Sequence, residues 1–201
     1  SSIAEHLPDD IAVFLQVPEH RGIRIDIEET LSSDLVRGLR ESLAPMGVCW
    51  DAADLEGFQT RPYRSDHLSI IANSSHPIAR KARCAFEETL AYEHIGLPAS
   101  TAVHIMLARA AAIIGRTVNY RAVVSTFDAS LRCVRANLGL AVVPREVAEP
   151  VASTYGLKVL PLTDRWARRR FAICFHDEER LSPAAKLLVA HLQSMAAIKV
   201  R

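Results

Sequence analysis

The chain has 201 residues, 49% apolar and 23% charged, with 24 Lys and Arg against 23 Asp and Glu for a net charge of +1. That balance excludes disorder and the basic excess of a free-standing nucleic-acid binder, and no apolar run approaches the ~18 residues of a membrane-spanning helix. The length suits one large domain or two of about 100 residues each.

In chain order, Ile3, Leu7, Ile11, Phe14 and Leu15 recur at helical spacing after Ser2 and predict a helix to about Val17, with Pro8 awkward inside it. Residues 23–29, with RIDIEE at their heart, alternate as a strand. Ser32 or Ser33 is expected to cap a helix through about Leu43, followed by a short apolar strand over 46–50 and a polar connection over 51–57. Residues 58–63 and 67–72 read as two strands separated by a charged turn, and 73–83 as a loop containing Pro77. Then come a short helix at 86–91, a strand at 95–97 and a helix over 101–114 that stops at Gly115. A strand is expected at 118–124, a helix at 127–136, a strand at 140–143 and a helix from Pro144 to about Tyr155. Strands at 157–162 and 169–175 precede a final helix, capped at Ser182–Pro183, with Ala185, Leu188, Leu192 and Met195 on its inner face.

Such alternation with short connections predicts an α/β fold with parallel sheets. The two late strands lie before a terminal helix, so the economical arrangement is two lobes, crossed twice by the chain, with a cleft between them.

The candidate binding residues sit where helices begin. The stretch 125–128 leaves a helix N-terminus bare, and the same device recurs at Ser1–Ser2 and Ser100–Thr101. A helix start presents unpaired N–H groups and partial positive charge, which suits an anion. The hydroxyls of Ser1, Ser2, Ser100, Thr101, Ser125 and Thr126 either cap their helices or also face a ligand. Trp50 and Asp51 close the 46–50 strand, where Trp50 either stacks on a ligand or covers core, and Thr30 ends the 23–29 strand with the same two readings. Arg61 and Arg64 have the guanidinium fork that pairs a carboxylate, whereas Arg165, Arg168, Arg169 and Arg170 read as a solvated strand flank.

Chemistry-bearing motifs are absent from the sequence. The eight histidines form no HxxxH or HExxH, so no metal is expected. There is no GxSxG, P-loop or GxGxxG, so no cofactor and no catalytic residue is nominated. Cys49, Cys84, Cys133 and Cys174 form no CxxC and read as buried reduced thiols, with a redox-sensing pair as the alternative. A small polar ligand held but not transformed is the function these features point to.

Four stretches, in order and together spanning nearly the whole chain, carry a family resemblance. They are SSIAEHLP at the start, SSHPIA at 74–79, VSTFDASLRCVRANLGLAVVP at 124–144 and LSPAAKLLVAHL at 181–192. The ordered set resembles the effector-binding domain of LysR-type transcriptional regulators. The resemblance implies a type 2 periplasmic-binding-protein fold: two Rossmann-like α/β lobes joined by two crossover strands, here 1–70 with 172–201 and 71–171. It implies a small-molecule effector, expected to be a carboxylate, contacted by Ser1, Ser2, Thr30, Trp50 or Asp51, Ser100, Thr101, and Thr126 or Phe127. It further implies a homodimer or tetramer in the cytoplasm, with no cofactor or metal. DNA would be bound only through an N-terminal winged helix-turn-helix outside this chain, which opens like a piece of a longer protein. Asn137 stands where the family has a glycine, SLAPMG at 42–47 replaces a more acidic approach to the strand, and the family's strand before Ser1 is missing. A transport receptor of the same fold, or an enzyme drawing on Asp51, Asp128 and Arg61, are the rival readings.

Overall fold

A computed structural model describes residues 2–196. The elements in order are α1 (Ser2–Gln16), α2 (Ser32–Arg40), β1 (Gly47–Trp50), β2 (Gln59–Asn73), α3 (Phe86–Thr89), β3 (His94–Gly96), α4 (Ala102–Ile113) and β4 (Tyr120–Val123). They continue with α5 (Phe127–Arg135), β5 (Leu140–Pro144), α6 (Arg145–Tyr155), β6 (Leu157–Pro161), β7 (Arg168–Phe175) and α7 (Pro183–Met195). The chain divides into two units, Ser1–Ser65 with Arg169–Arg201, and Asp66–Arg168. It leaves the first unit within β2 and returns to it at the start of β7.

In the first unit β1 runs antiparallel to β7, with Gly47 opposite Cys174 and Trp50 opposite Phe171. Tyr63, Phe171, Ile173 and Phe175 pack with Val189, Leu192 and Met195 of α7. Leu39 of α2 packs on Cys49 and Cys174. The first helix is fixed by a buried carboxylate. Asp10, 3% exposed, accepts hydrogen bonds from Arg64 Nε (2.8 Å) and Nη2 (2.5 Å) and from the Tyr63 hydroxyl, while His191 of α7 donates to its backbone carbonyl at 2.8 Å. Burial alone would raise the Asp10 carboxyl, but the hydrogen bonds from Arg64 and Tyr63 and the Arg64 charge outweigh it and hold Asp10 below its ordinary value. Pro8 is accommodated inside α1.

In the second unit β2 lies between β5 and β6, antiparallel to both, and β3 lies between β5 and β4, parallel to both. All five residues of β5 are buried, as expected of a strand covered on both faces. Ile71, Ile95, Leu131, Val134, Ala141, Val143, Ala148 and Leu157 form the core beneath α5 and α6. Two backbone positions permit the tight turn into β5. Asn137 has φ 56, which Asn tolerates, and Gly139 has φ 156 with its Cα so close to the Glu93 carbonyl that a Cβ would sit 2.6 Å from that oxygen.

Several expectations are corrected. Residues 23–29 form no strand: Ile23 and Ile25 are half-buried and Arg24 and Asp26 exposed, but a strand exists only by pairing its N–H and C=O groups, and none of the described strands pairs with this stretch. Thr30 therefore ends no strand. The two strands with a charged turn are one fifteen-residue strand, β2, because Arg64 and Asp66 are not solvated turn residues: Arg64 meets Asp10, and Asp66 is buried. The second helix ends at Arg40 rather than near Leu43, with Ser42 at φ 58, and its N-cap is Leu31, not a serine. Val189 takes the fully buried place on α7, with Leu188 partly buried beside it. The sheet of the second unit is mixed rather than wholly parallel.

Asp10→Ala leaves Arg64 and Tyr63 without their acceptor in a buried place. Chemical denaturation should show a loss of about 3–5 kcal/mol at neutral pH. Because the Asp10 carboxyl is depressed on folding, its contribution is complete above about pH 4 and disappears as pH falls through the folded value. The gap between wild type and variant should therefore narrow in acid, and a constant gap down to pH 2 would contradict the assignment.

Candidate functional site

Parallel strands send their chains out at the same edge, and here each of β3, β4 and β5 is followed by a helix. Gly96, the last residue of β3, lies beside Val123, the last of β4, and the Val124 amide donates to the Gly96 carbonyl at 2.9 Å. Beyond these ends α4 begins after Ser100 and Thr101, and α5 after Ser125 and Thr126. Two helix N-termini are thus brought to one edge of the second unit by register alone, with α6 starting after β5, parallel to β3 on its other side.

The local geometry of each start follows from its cap. Thr101 Oγ1 accepts from the His104 amide (3.3 Å) and donates to the Pro98 carbonyl (2.8 Å), so its hydroxyl is committed twice. Thr126 Oγ1 accepts from the Ala129 amide at 3.1 Å. Each cap satisfies one amide of its first turn, leaving those of Ala102 and Val103, and of Phe127 and Asp128, directed out of the helix end. Asp128, the one acid in the first turn of α5, pairs with Arg132 at 2.8 Å, an exposed i,i+4 contact that offsets its charge. Ser100 is exposed beside the Thr101 cap, and Phe127 is partly buried against the core beneath α5.

Two residues that sequence reasoning missed pack against Gly96 and Leu97, where β3 ends. Tyr120 opens β4, but its ring lies over Gly96, where a Cβ would come within 2.6 Å of it, and stacks on His104 at 5.2 Å and 20°. His104, in the first turn of α4, donates from Nδ1 to the Leu97 carbonyl at 3.1 Å. The Tyr120 hydroxyl is buried with no protein partner, and burial pushes its pKa up. The only available signal was His104 standing three residues after the Thr101 cap; nothing local marks Tyr120.

In the first unit the structure places Ser2 as the opening residue of α1, and Ser1 lies outside the described residues. Trp50 and Asp51 close β1: Trp50 packs against the core around Phe171, and Asp51 donates its amide to the Arg170 carbonyl and accepts from Arg170 Nε, both at 2.9 Å. Arg61 and Arg64, the guanidinium candidates, are engaged internally by Glu178 (2.6 Å) and Asp10. Arg169 is buried over Phe171 and Arg170 meets Asp51, so this basic cluster is not simply a solvated flank. Among the described residues, no group of three potential ligands could hold a metal ion, and no helix is long and apolar enough to cross a membrane.

A depression of about 320 Å³ lies at the opposite, amino end of β3 and β5, lined by His76, Tyr92, Glu93, Arg121, Asn137 and Gly139. Its one cation, Arg121, is held by Glu93 at 2.5 Å, so it offers an anion less than the helix ends do.

Residues 1–197 match the family model described as the LysR substrate binding domain. The RuBisCO operon transcriptional regulator of Allochromatium vinosum is 28% identical over 193 residues, which cover 92% of this chain and 61% of that protein; the chain thus spans about three fifths of that relative. Among solved structures, the effector-binding domain of QuiR in complex with shikimate superposes with a TM-score of 0.83 at 16% identity, covering 96% of this chain and 92% of that one. The BenM effector-binding domain with its effector benzoate gives a TM-score of 0.77 at 18% identity, covering 94% and 85%. The fold is the type 2 periplasmic-binding-protein-like α/β fold of these domains, and the chain belongs to the LysR substrate-binding domain family.

Proposed function

We propose that this chain is the effector-sensing part of a LysR-type transcriptional regulator, and that it binds a small carboxylate at the carboxyl edge of β3 and β4. The observation that carries this reading is the pair of threonine-capped helix starts set side by side by the Gly96–Val123 register. A carboxylate there accepts from first-turn amides in the partial positive field of two helices, and the Tyr120 hydroxyl supplies a further donor. Shikimate and benzoate, bound by the two structural neighbours, are both carboxylates of this size. Trp50 and Asp51, at the end of β1, are kept as candidate contacts, with Ser2, Ser100 and Phe127. The bound effector favours one conformation over another only by its differential affinity for the two.

A regulator transmits that bias through a second copy, and we assign a homodimer. Support comes from an apolar outer stripe on α4, with Ile105 53% and Ile113 76% exposed, and from β4, the end strand of its sheet, with Val123 57% exposed. DNA contact belongs to a winged helix-turn-helix elsewhere in the full-length regulator, in the cytoplasm. No catalytic step is assigned, since the titratable groups at the helix starts are few and Asp128 is already paired.

Thermal-shift measurements against benzoate, shikimate, amino acids and sugar phosphates test the binding reading. The carboxylates should raise Tm selectively, by the equivalent of about 2.7 kcal/mol at 100 times Kd. The absence of a shift from every carboxylate would overturn it. Tyr120→Phe removes a buried hydroxyl that has no partner, so the free domain should be unchanged or up to about 1 kcal/mol more stable. The same variant should bind the active carboxylate at least severalfold more weakly, whereas unchanged affinity would remove Tyr120 from the site. Ile113→Asp should shift the mass measured by light scattering from dimer towards monomer; an unaltered dimer would place the interface elsewhere.

A further inference from the structure

Cys49 and Cys174 are the closest pair of thiols described in the chain, with Sγ atoms 3.8 Å apart. They stand on diagonally related positions of the antiparallel β1–β7 ladder, Cys49 opposite Ala172 and Cys174 opposite Gly47. Both opposing residues are small, and the Leu35 side chain fills the place that a Gly47 side chain would take. Cys49 is 5% exposed and Cys174 fully buried, beneath Leu39, Leu35 and Phe58. A disulfide has its sulfurs about 2.05 Å apart, so roughly 1.8 Å of closure is required, with a small drawing together of the strands. Four-residue β1 is an end strand of its sheet, paired only with β7, and such strands open locally most readily.

We propose that Cys49 and Cys174 form a reversible thiol–disulfide couple oxidised by hydroperoxides. Cys49, the less buried, attacks first. Its thiolate displaces alkoxide from the peroxide O–O bond and becomes a sulfenic acid, and the alkoxide takes a proton to leave as an alcohol. Cys174 sulfur then attacks Cys49 sulfur, the S–O bond breaks, and hydroxide takes the Cys174 proton and departs as water. Two thiols and one hydroperoxide yield one disulfide, one alcohol and one water. The order of attack agrees with the electrostatics. The sulfur–sulfur contact holds the Cys49 thiol below its ordinary value and, with burial, pushes Cys174 up, and the Cys174 thiol also donates to the Gly47 carbonyl at 3.4 Å. Leu39 packs directly on the pair, so closure is felt by α2. It also stiffens β1, the strand leading to Trp50 and Asp51; any effect on effector affinity rests on the function proposed above, but the oxidation itself does not.

The test treats the purified 201-residue chain with equimolar hydrogen peroxide, alkylates it under denaturing conditions and maps its peptides by mass spectrometry. A cross-linked peptide carrying Cys49 and Cys174, abolished by dithiothreitol, is the expected result. Full alkylation of both thiols, or oxidation confined to the less buried Cys133, overturns the proposal. In Cys174→Ser the Cys49 sulfenic acid should persist and be trapped by dimedone. Trapping at Cys174 in Cys49→Ser, with none at Cys49 in Cys174→Ser, would refute Cys49 as the attacking thiol. These readouts need no effector, so their failure is separate from a failure of the binding reading.

Discussion

The site depends on how closely the backbone packs around β3. This strand has three residues, yet it is flanked on both sides by parallel partners. Parallel neighbours need a crossover between them, so each strand end must hand the chain to a helix on the same edge. The approach is permitted by missing side chains. Gly139 lets the turn into β5 pass against the Glu93 carbonyl, where the Leu140 amide donates at 2.9 Å, and Gly96 admits the Tyr120 ring. A Cβ at either place would push a neighbour away and change the separation of the helix starts. The geometry of this edge is therefore a consequence of backbone register more than of any one polar side chain.

The first unit is governed by a different constraint. Asp10 is buried, and a buried carboxylate is tolerable only with donors arranged around it. Arg64 and Tyr63 supply them from adjacent positions of β2, and His191 holds the Asp10 carbonyl from α7. Phe14, fully buried one turn later on α1, stacks on His20 and lies against His191. Polar and aromatic contacts thus fix α1 to β2 and α7, and the position of its N-terminus follows from them.

Legibility in the sequence tracked how local each signal was. Helix α4 and its Thr101 cap, the run from Thr126 through β5, and the Asn137 turn were readable because cap, periodicity and breaker lie within a few residues. The continuous β2 was not, since Arg64 looks like a turn residue until Asp10, 54 positions away, is known to meet it. Residues 23–29 show the reverse error: alternation records which side chains face inward, but pairing is non-local. Of the candidate site, Thr101 and Thr126 were found as helix caps, whereas Tyr120 was invisible, because its importance lies in a ring resting over Gly96 on the neighbouring strand. Arg61 and Arg64 were plausible for a carboxylate only while their internal carboxylate partners were unknown.

That commitment of the arginines bears on the kind of recognition available. A site built on a free guanidinium binds anions through charge, with strong salt dependence and little regard for the rest of the ligand. Helix-end amides and hydroxyls act differently. Their positive charge is partial, fixed in direction and short in range, so a carboxylate benefits only when its oxygens meet the N–H vectors. In a site of this kind, affinity is completed by how the remainder of the ligand packs on the surrounding protein. Discrimination between carboxylates by body shape, with weak dependence on ionic strength, is the behaviour that helix-end chemistry of the proposed kind favours.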